Sequence, residues 1–233
     1  MFAAAHANQR WLMEGFMYRF HPHIVEAQRR VVAGEIGRVL HIRSARIAHG
    51  RDRANPRFWR QAGGGALLDI GCYCVNLSRM FAGEEPGRVT AQAHYDKETG
   101  VDLTLAGTLE FPGGALAQFV CSFEGEPTYA AEIIGTDGKV LIPHPWFPPF
   151  FPNEILITRG LKEETVRVED SLAPKDVLAP FALELAHFAR CVREDRPPAF
   201  PPDSPAERDS RGNARVLDAL AHSARTGQPV ALA

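Results

Sequence analysis

Cysteine is scarce in this chain: Cys72, Cys74, Cys121 and Cys191 are the only four in 233 residues. Their spacing makes no CxxC pair and no zinc pattern, and a chain of this length buries a core without disulfides, so they read as reduced thiols. Excess charge of one sign is also missing. The 26 Lys and Arg nearly balance 28 Asp and Glu, which removes any general pull toward nucleic acid or an anionic membrane. No stretch approaches the ~20 consecutive apolar residues that cross a bilayer. The Ala-rich start, MFAAAHANQRW, lacks the basic region and long apolar run of a signal peptide. It reads instead as the tail of an amphipathic helix. The sequence lacks G-x-G-x-x-G, the P-loop, the G-x-S-x-G elbow and HExxH as well. A chain that is 45% hydrophobic and near neutral is predicted to be globular and cytoplasmic, with no nucleic-acid partner and no membrane partner.

What is present divides into helical and extended stretches. Residues 11–18, WLMEGFMY, form a short dense apolar run and are predicted as a buried strand. His21-Pro22 opens a helix, because proline suits the first helical turn. Ile24, Ala27, Val31 and Val32 share one face of it, and Gly34 or Gly37 ends it. Residues 38–49 alternate apolar and polar, as a half-buried strand does. Residues 50–62 are rich in arginine and have no aliphatic period, so they are predicted as a loop. Residues 63–83 enter a helix through three glycines, with Leu67, Ile70, Cys74, Leu77 and Phe81 as its apolar stripe.

From Arg88 to about Val168 the period becomes two. Turn signals at Pro112-Gly113-Gly114 and Asp137-Gly138 imply hairpins and hence antiparallel pairing. The proline-rich stretch His144–Pro152 cannot be a strand and should be a packed aromatic loop. Helices follow over 176–194 and about 203–224, then a short terminal strand over 230–232. Strands in a run with helices on either side predict an α+β fold. The expected form is an antiparallel open-faced sheet of about six strands with helices packed on one face.

Asp69, Tyr73 and Asn76 stand at i, i+4 and i+7 on the helix of 63–83, opposite its apolar stripe. A phenol with a carboxylate one turn away suits proton transfer at a substrate hydroxyl. Arg57 and Arg60 lie near enough in sequence to orient an oxygen-rich ligand. The same three residues also suit a solvated, hydrogen-bonded surface. Gly63-Gly64-Gly65 follows a polar loop rather than a strand, so it reads as a helix entry and not as a phosphate cradle. His21 and His23 have no carboxylate or cysteine cluster beside them, so no metal is predicted.

GFMYRFHP at 15–22, NPRFWRQAGGGALLDIGCYCVN at 55–76, LAHFARCVREDRPPAF and RVLDALAHSARTG together resemble the Gfo/Idh/MocA oxidoreductase family. The resemblance runs from about Trp11 to the end. It implies hydride transfer between NAD or NADP and a hydroxyl of a sugar, cyclitol or diol. It implies Tyr73 as the acid/base and Asp69 as a residue shaping the site. It also places Arg60 beside substrate; Asn76, on the same helix face as Asp69 and Tyr73, is expected as a second substrate contact. The family's glycine motif and Glu-Lys-Pro motif are not in this sequence. The expectation is therefore that an N-terminal Rossmann domain is absent, that residues 1–18 are a remnant of its end and that 19–233 form the substrate and oligomerisation domain. On that expectation the chain alone does not bind the dinucleotide. A separate Rossmann-domain chain completing a split enzyme, or a non-catalytic sugar-binding or scaffolding role, stand as alternatives. The sheet is expected to mediate a homo-oligomer.

Overall fold

The computed structural model describes residues 1–49, 52, 54–146, 153–169, 178–201 and 204–232. Helices α1 (Phe2–Ala7) and α2 (Pro22–Val32) precede strand β1 (Val39–Ile47). Helix α3 (Cys72–Ala82) follows, entered through a π-helical turn over Leu67–Gly71. Seven strands come next: β2 (Arg88–Tyr95), β3 (Asp102–Glu110), β4 (Leu116–Ser122), β5 (Thr128–Gly135), β6 (Lys139–Ile142), β7 (Glu154–Arg159) and β8 (Lys162–Arg167). The chain ends with α4 (Ala179–Arg193), a small ribbon of β9 (Ala199–Phe200) and β10 (Ser204–Pro205), α5 (Ala206–Thr226) and β11 (Val230–Ala231).

The main sheet corrects the fold class expected from sequence. It has nine strands, not about six, in the order β11-β2-β3-β4-β1-β5-β6-β7-β8. It is also mixed rather than antiparallel. β1 lies parallel to β4, with His41 opposite Leu116 through to Ile47 opposite Ser122, and antiparallel to β5. The physical reason is that turn signals report only which neighbouring strands form hairpins. They say nothing about where a strand separated from the run by a helix will insert. β1 enters the centre, between two strands that follow it by about seventy residues or more.

The register brings Ile42, Ser44 and Arg46 of β1 to the same face as Ala117, Phe119 and Cys121 of β4 and as Leu105, Gly107 and Leu109 of β3. These side chains are buried. Helix α3 packs over β1 and β4, α5 over β2, and α2 over β6 and β7. The apolar stripe that runs from the π-helical turn into α3 is buried throughout, and Leu67, Ile70, Leu77 and Phe81 are each worth roughly 1.5–3 kcal/mol when fully removed from water. Gly71 permits the close approach of this helix to the sheet, because a Cβ there would lie 2.8 Å from the Cys121 sulfur.

Residues 11–18 are not a strand. Residues 11–16 have no regular structure, and Met17–Phe20 form a 3₁₀ turn whose side chains are buried. Phe16 packs edge-on to Tyr18, Tyr73 and Phe200, so the apolar density of this stretch reports burial in an aromatic cluster rather than sheet pairing. Trp146 is buried and its indole N–H donates to the Ala45 carbonyl at 3.5 Å. The rest of the expected aromatic loop, 147–152, lies outside the described residues, as do 50, 51 and 53 of the arginine-rich loop. Among the described residues, no helix is long and apolar enough to cross a membrane.

Candidate active site at the start of the third helix

Asn55 and Pro56 begin the local construction. The Asn55 side chain accepts from the Arg57 N–H at 3.1 Å and caps a 3₁₀ turn over Pro56–Phe58. Phe58 anchors that turn by packing on Phe123, with ring centres 5.3 Å apart. The Arg57 side chain is thereby directed at Asp69, and its Nε lies 3.0 Å from Oδ2 and 3.1 Å from Oδ1. Asp69 sits inside the π-helical turn, a distortion frequently found at functional sites. The Asp102 carboxylate, reaching from β3, fastens the start of that turn by accepting from the Leu67 N–H at 2.6 Å.

Tyr73 occupies the next turn and is only partly exposed. Phe16 meets its ring edge-on at 5.3 Å, and Tyr18 and Trp146 each lie 6.0 Å from it, centre to centre. Its hydroxyl donates to the Met17 sulfur at 3.7 Å, a soft contact that a better acceptor would displace. The guanidinium of Arg46 lies over the ring face, its carbon 3.6 Å from the centroid. Burial raises the Tyr73 hydroxyl above the ordinary phenol value, and the Arg46 charge opposes that rise. The adjacent Cys72 thiol is pushed by burial up to about 12 and is neutral at physiological pH.

The other two residues singled out from sequence lie elsewhere. Asn76 is wholly buried: it accepts from the Tyr18 hydroxyl at 2.7 Å and donates to Asp209 at 2.9 Å. Its place is in a core network that joins α3 to α5, because helical advance after the π turn rotates it inward. Arg60 lines a separate cleft of about 470 Å³ with Tyr95, Asp102 and Arg225. Arg57, rather than Arg60, is the arginine in contact with Asp69. Sequence reasoning missed Arg46, Met17 and Trp146 as neighbours of Tyr73. Arg46 had a signal: the alternation of β1 points it inward with Ile42 and Ser44, an anomalous place for an arginine.

The buried rings of His21 and His23 meet Nδ1 to Nδ1 at 2.5 Å. Burial, with His21 adding to it, lowers His23 to about 3, so it is neutral. Among the described residues, no group of three or more His, Cys, Asp or Glu could hold a metal ion. The triglycine run does not fit a pyrophosphate. The Gly64 and Gly65 amides already donate to the Trp59 and Arg57 carbonyls, each at 2.9 Å. A carboxylate oxygen of Asp102 also lies 2.1 Å from where a Gly65 Cβ would stand. An anion would find spent donors and a negative charge there.

Comparison with known proteins places this arrangement in context. A family model described as the GFO/IDH/MocA C-terminal domain matches residues 24–141. The D-xylose 1-dehydrogenase (NADP(+)) 2 of Haloferax volcanii is 33% identical over 95% of this chain and 64% of its own length. The trans-1,2-dihydrobenzene-1,2-diol dehydrogenase of Mus musculus is 38% identical over 70% of this chain and 47% of its own. The chain thus spans less than two thirds of these relatives. The aldose-aldose oxidoreductase from Caulobacter crescentus, solved with glycerol, superposes with a TM-score of 0.84 at 28% identity, covering 99% of this chain and 67% of that one. A 3-ketoreductase from Actinomadura kijaniata, solved with NADP and TDP-benzene, shares the fold at a TM-score of 0.84 and 24% identity, over 95% of this chain and 65% of that one. The solved chains superpose along 95–99% of this sequence.

Proposed function

Because this chain belongs to the Gfo/Idh/MocA oxidoreductase family, we propose that it forms the hydroxyl-binding side of an NAD(P)-dependent dehydrogenase or reductase for a sugar, cyclitol or diol. The observation that carries this reading is the placement of Tyr73. Its hydroxyl meets the Met17 thioether and Arg46 within an aromatic cup, and the Asp69–Arg57 pair lies one turn away. In oxidation Tyr73 as phenolate takes the proton of the substrate hydroxyl as the carbonyl forms and becomes the neutral phenol. In reduction it returns that proton. Asp69, fixed by Arg57, accepts a hydrogen bond from a neighbouring substrate hydroxyl and orients the sugar or diol. NAD or NADP supplies or receives the hydride in such a reaction. The triglycine run offers that dinucleotide no pyrophosphate cradle, and the part we assign to this chain is the proton and the polyol.

Turnover of a panel of aldoses, cyclitols and vicinal diols with NAD⁺ and NADP⁺, measured with this chain supplied with a dinucleotide-binding partner chain, tests the reading. Tyr73→Phe is expected to lower kcat by about 10²-fold or more, the usual scale of acid–base catalysis, with the far-UV spectrum unchanged. Undiminished turnover in that variant refutes it. On the same reading, calorimetric titration of this chain with NADPH gives no micromolar binding; a micromolar isotherm would require a phosphate site other than the triglycine turn.

A further inference from the structure

We propose that Arg46 is a positioning residue for Tyr73: its guanidinium, stacked on the ring from the sheet beneath, holds the ring in place and stabilises the phenolate. The proposal rests on the reading of Tyr73 as the proton-exchanging group. Three observations support it.

The first is cost. Arg46 is 6% exposed at an inward position of β1, and burying a cation is expensive unless something compensates. A strand that needed only packing there would carry an aliphatic residue, as Ile42 does two pairs earlier. The second is geometry. The guanidinium carbon is 3.6 Å from the Tyr73 centroid and 5.9 Å from that of Trp146, within the reach of cation–π attraction. Arginine suits this place better than lysine because its planar head lies flat on a ring.

The third is the local balance of charge. Tyr73 faces Arg46 from β1, Asp69 and Cys72 from its own helix, and Tyr18 from the 3₁₀ turn. Asp69 is held by Arg57, which mutes its repulsion of a phenolate. Cys72 and Tyr18 are both driven by burial toward their neutral forms. Among these neighbours Arg46 is the one that favours charge on the Tyr73 oxygen. A cation above the ring attracts the phenolate more strongly than the phenol, because ionisation spreads negative charge into the ring. Arg46 thereby offsets the desolvation that would otherwise hold the proton on Tyr73.

The test labels tyrosine at Cζ with ¹³C and titrates the protein by NMR. There are four tyrosines, and the Tyr73 signal is assigned by its loss in Tyr73→Phe. In Arg46→Met the Tyr73 midpoint is expected to rise by roughly 1 unit or more, the scale of removing a close opposite charge, while Tyr95 keeps its own. Arg46→Lys, which keeps the charge but not the flat stack, is expected to show a smaller rise, and it decides the matter if the methionine variant does not fold. A Tyr73 midpoint unchanged in a folded variant overturns the proposal. The pH profile of turnover separates this from the reading beneath it. A profile that moves with the midpoint supports both. If the midpoint moves and the profile does not, Arg46 is still coupled to Tyr73, and the assignment of Tyr73 as the acid/base is what fails.

Discussion

Asp209→Asn is expected to be among the most damaging single changes that leave the shape of a side chain intact. The Asp209 side chain is 7% exposed and lies 3.0 Å from Arg19 and 3.5 Å from Arg79, themselves 1% and 3% exposed. It also accepts from Asn76 at 2.9 Å. The two arginines do not suffer equally from its loss. Arg79 keeps a two-pronged contact with Glu85 at 2.7 and 2.6 Å. Arg19 keeps a long contact to the Pro201 carbonyl at 3.4 Å and the face of Phe200 at 4.4 Å. The variant therefore leaves one buried guanidinium without its carboxylate, which costs about 3–5 kcal/mol. Domains of this size are stable by about 5–15 kcal/mol, so the melting point should fall on the order of 10 °C. Urea unfolding measures it directly, as a lower midpoint at unchanged slope. The double variant Arg19→Met/Asp209→Leu removes both charges and should recover most of the loss. A cost below about 1 kcal/mol for Asp209→Asn, or a double variant worse than the single, would refute the argument that charge pairing rather than packing holds this junction.

Glu184, nearly buried and accepting from the Phe16 N–H, is raised by desolvation to about 7. The folded value exceeds the ordinary 4.5, so the folded state holds the extra proton between these limits and stability falls as pH rises through that window. Glu184→Gln should gain roughly 1–2 kcal/mol at pH 8 relative to pH 5 after allowance for screening; parallel stability–pH curves for the two proteins would contradict this. Gly71→Ala places a methyl 2.8 Å from the Cys121 sulfur and should cost about 1–3 kcal/mol by overpacking; Cys121→Ala in the same chain should return part of it, as read by denaturant midpoints. The face of the sheet away from the helices exposes Leu40 and Leu116 at 37% and 47%, and light scattering at micromolar concentration is expected to show a dimer or larger; a monomer would count against association through that face.

Periodicity located most of the elements to within a few residues, because the relevant forces are local. The apolar stripe of 67–81 and the alternation of 102–110 and 116–122 are properties of single segments, and the structure buries those residues accordingly. Three features were not legible. The apolar run Trp11–Tyr18 has the composition of a strand, but Phe16 and Tyr18 satisfy themselves against Tyr73 and Trp146 instead. The insertion of β1 between β4 and β5 is decided by long-range packing that no window of sequence contains. Asn76 was placed on the open side of its helix by counting 3.6 residues per turn from Asp69. The π-helical turn at Leu67–Gly71 breaks that count. At Asp137-Gly138 the hairpin is where the sequence put it, for a different reason. Gly138 is needed because a Cβ would lie 2.6 Å from the Thr158 carbonyl oxygen, not because of a positive φ.

The central position of β1 has a consequence for the order in which the molecule can assemble. β1 is made early, yet its parallel neighbour starts at Leu116 and its antiparallel one at Thr128. Until both have emerged, a strand whose inward side carries Ile42, Ser44 and Arg46 has no ladder on either edge. Closing loops of that length before any hydrogen bond forms is slow, and parallel pairing adds to the delay. The nascent chain thus passes through a stage with two open edges at what will become the middle of its sheet, the stage at which strands of other copies compete. The β2–β3–β4 meander, built from adjacent hairpins, can form without it. Refolding should therefore show an early phase reporting the meander and a later one, sensitive to protein concentration, that reports β1 entering its slot.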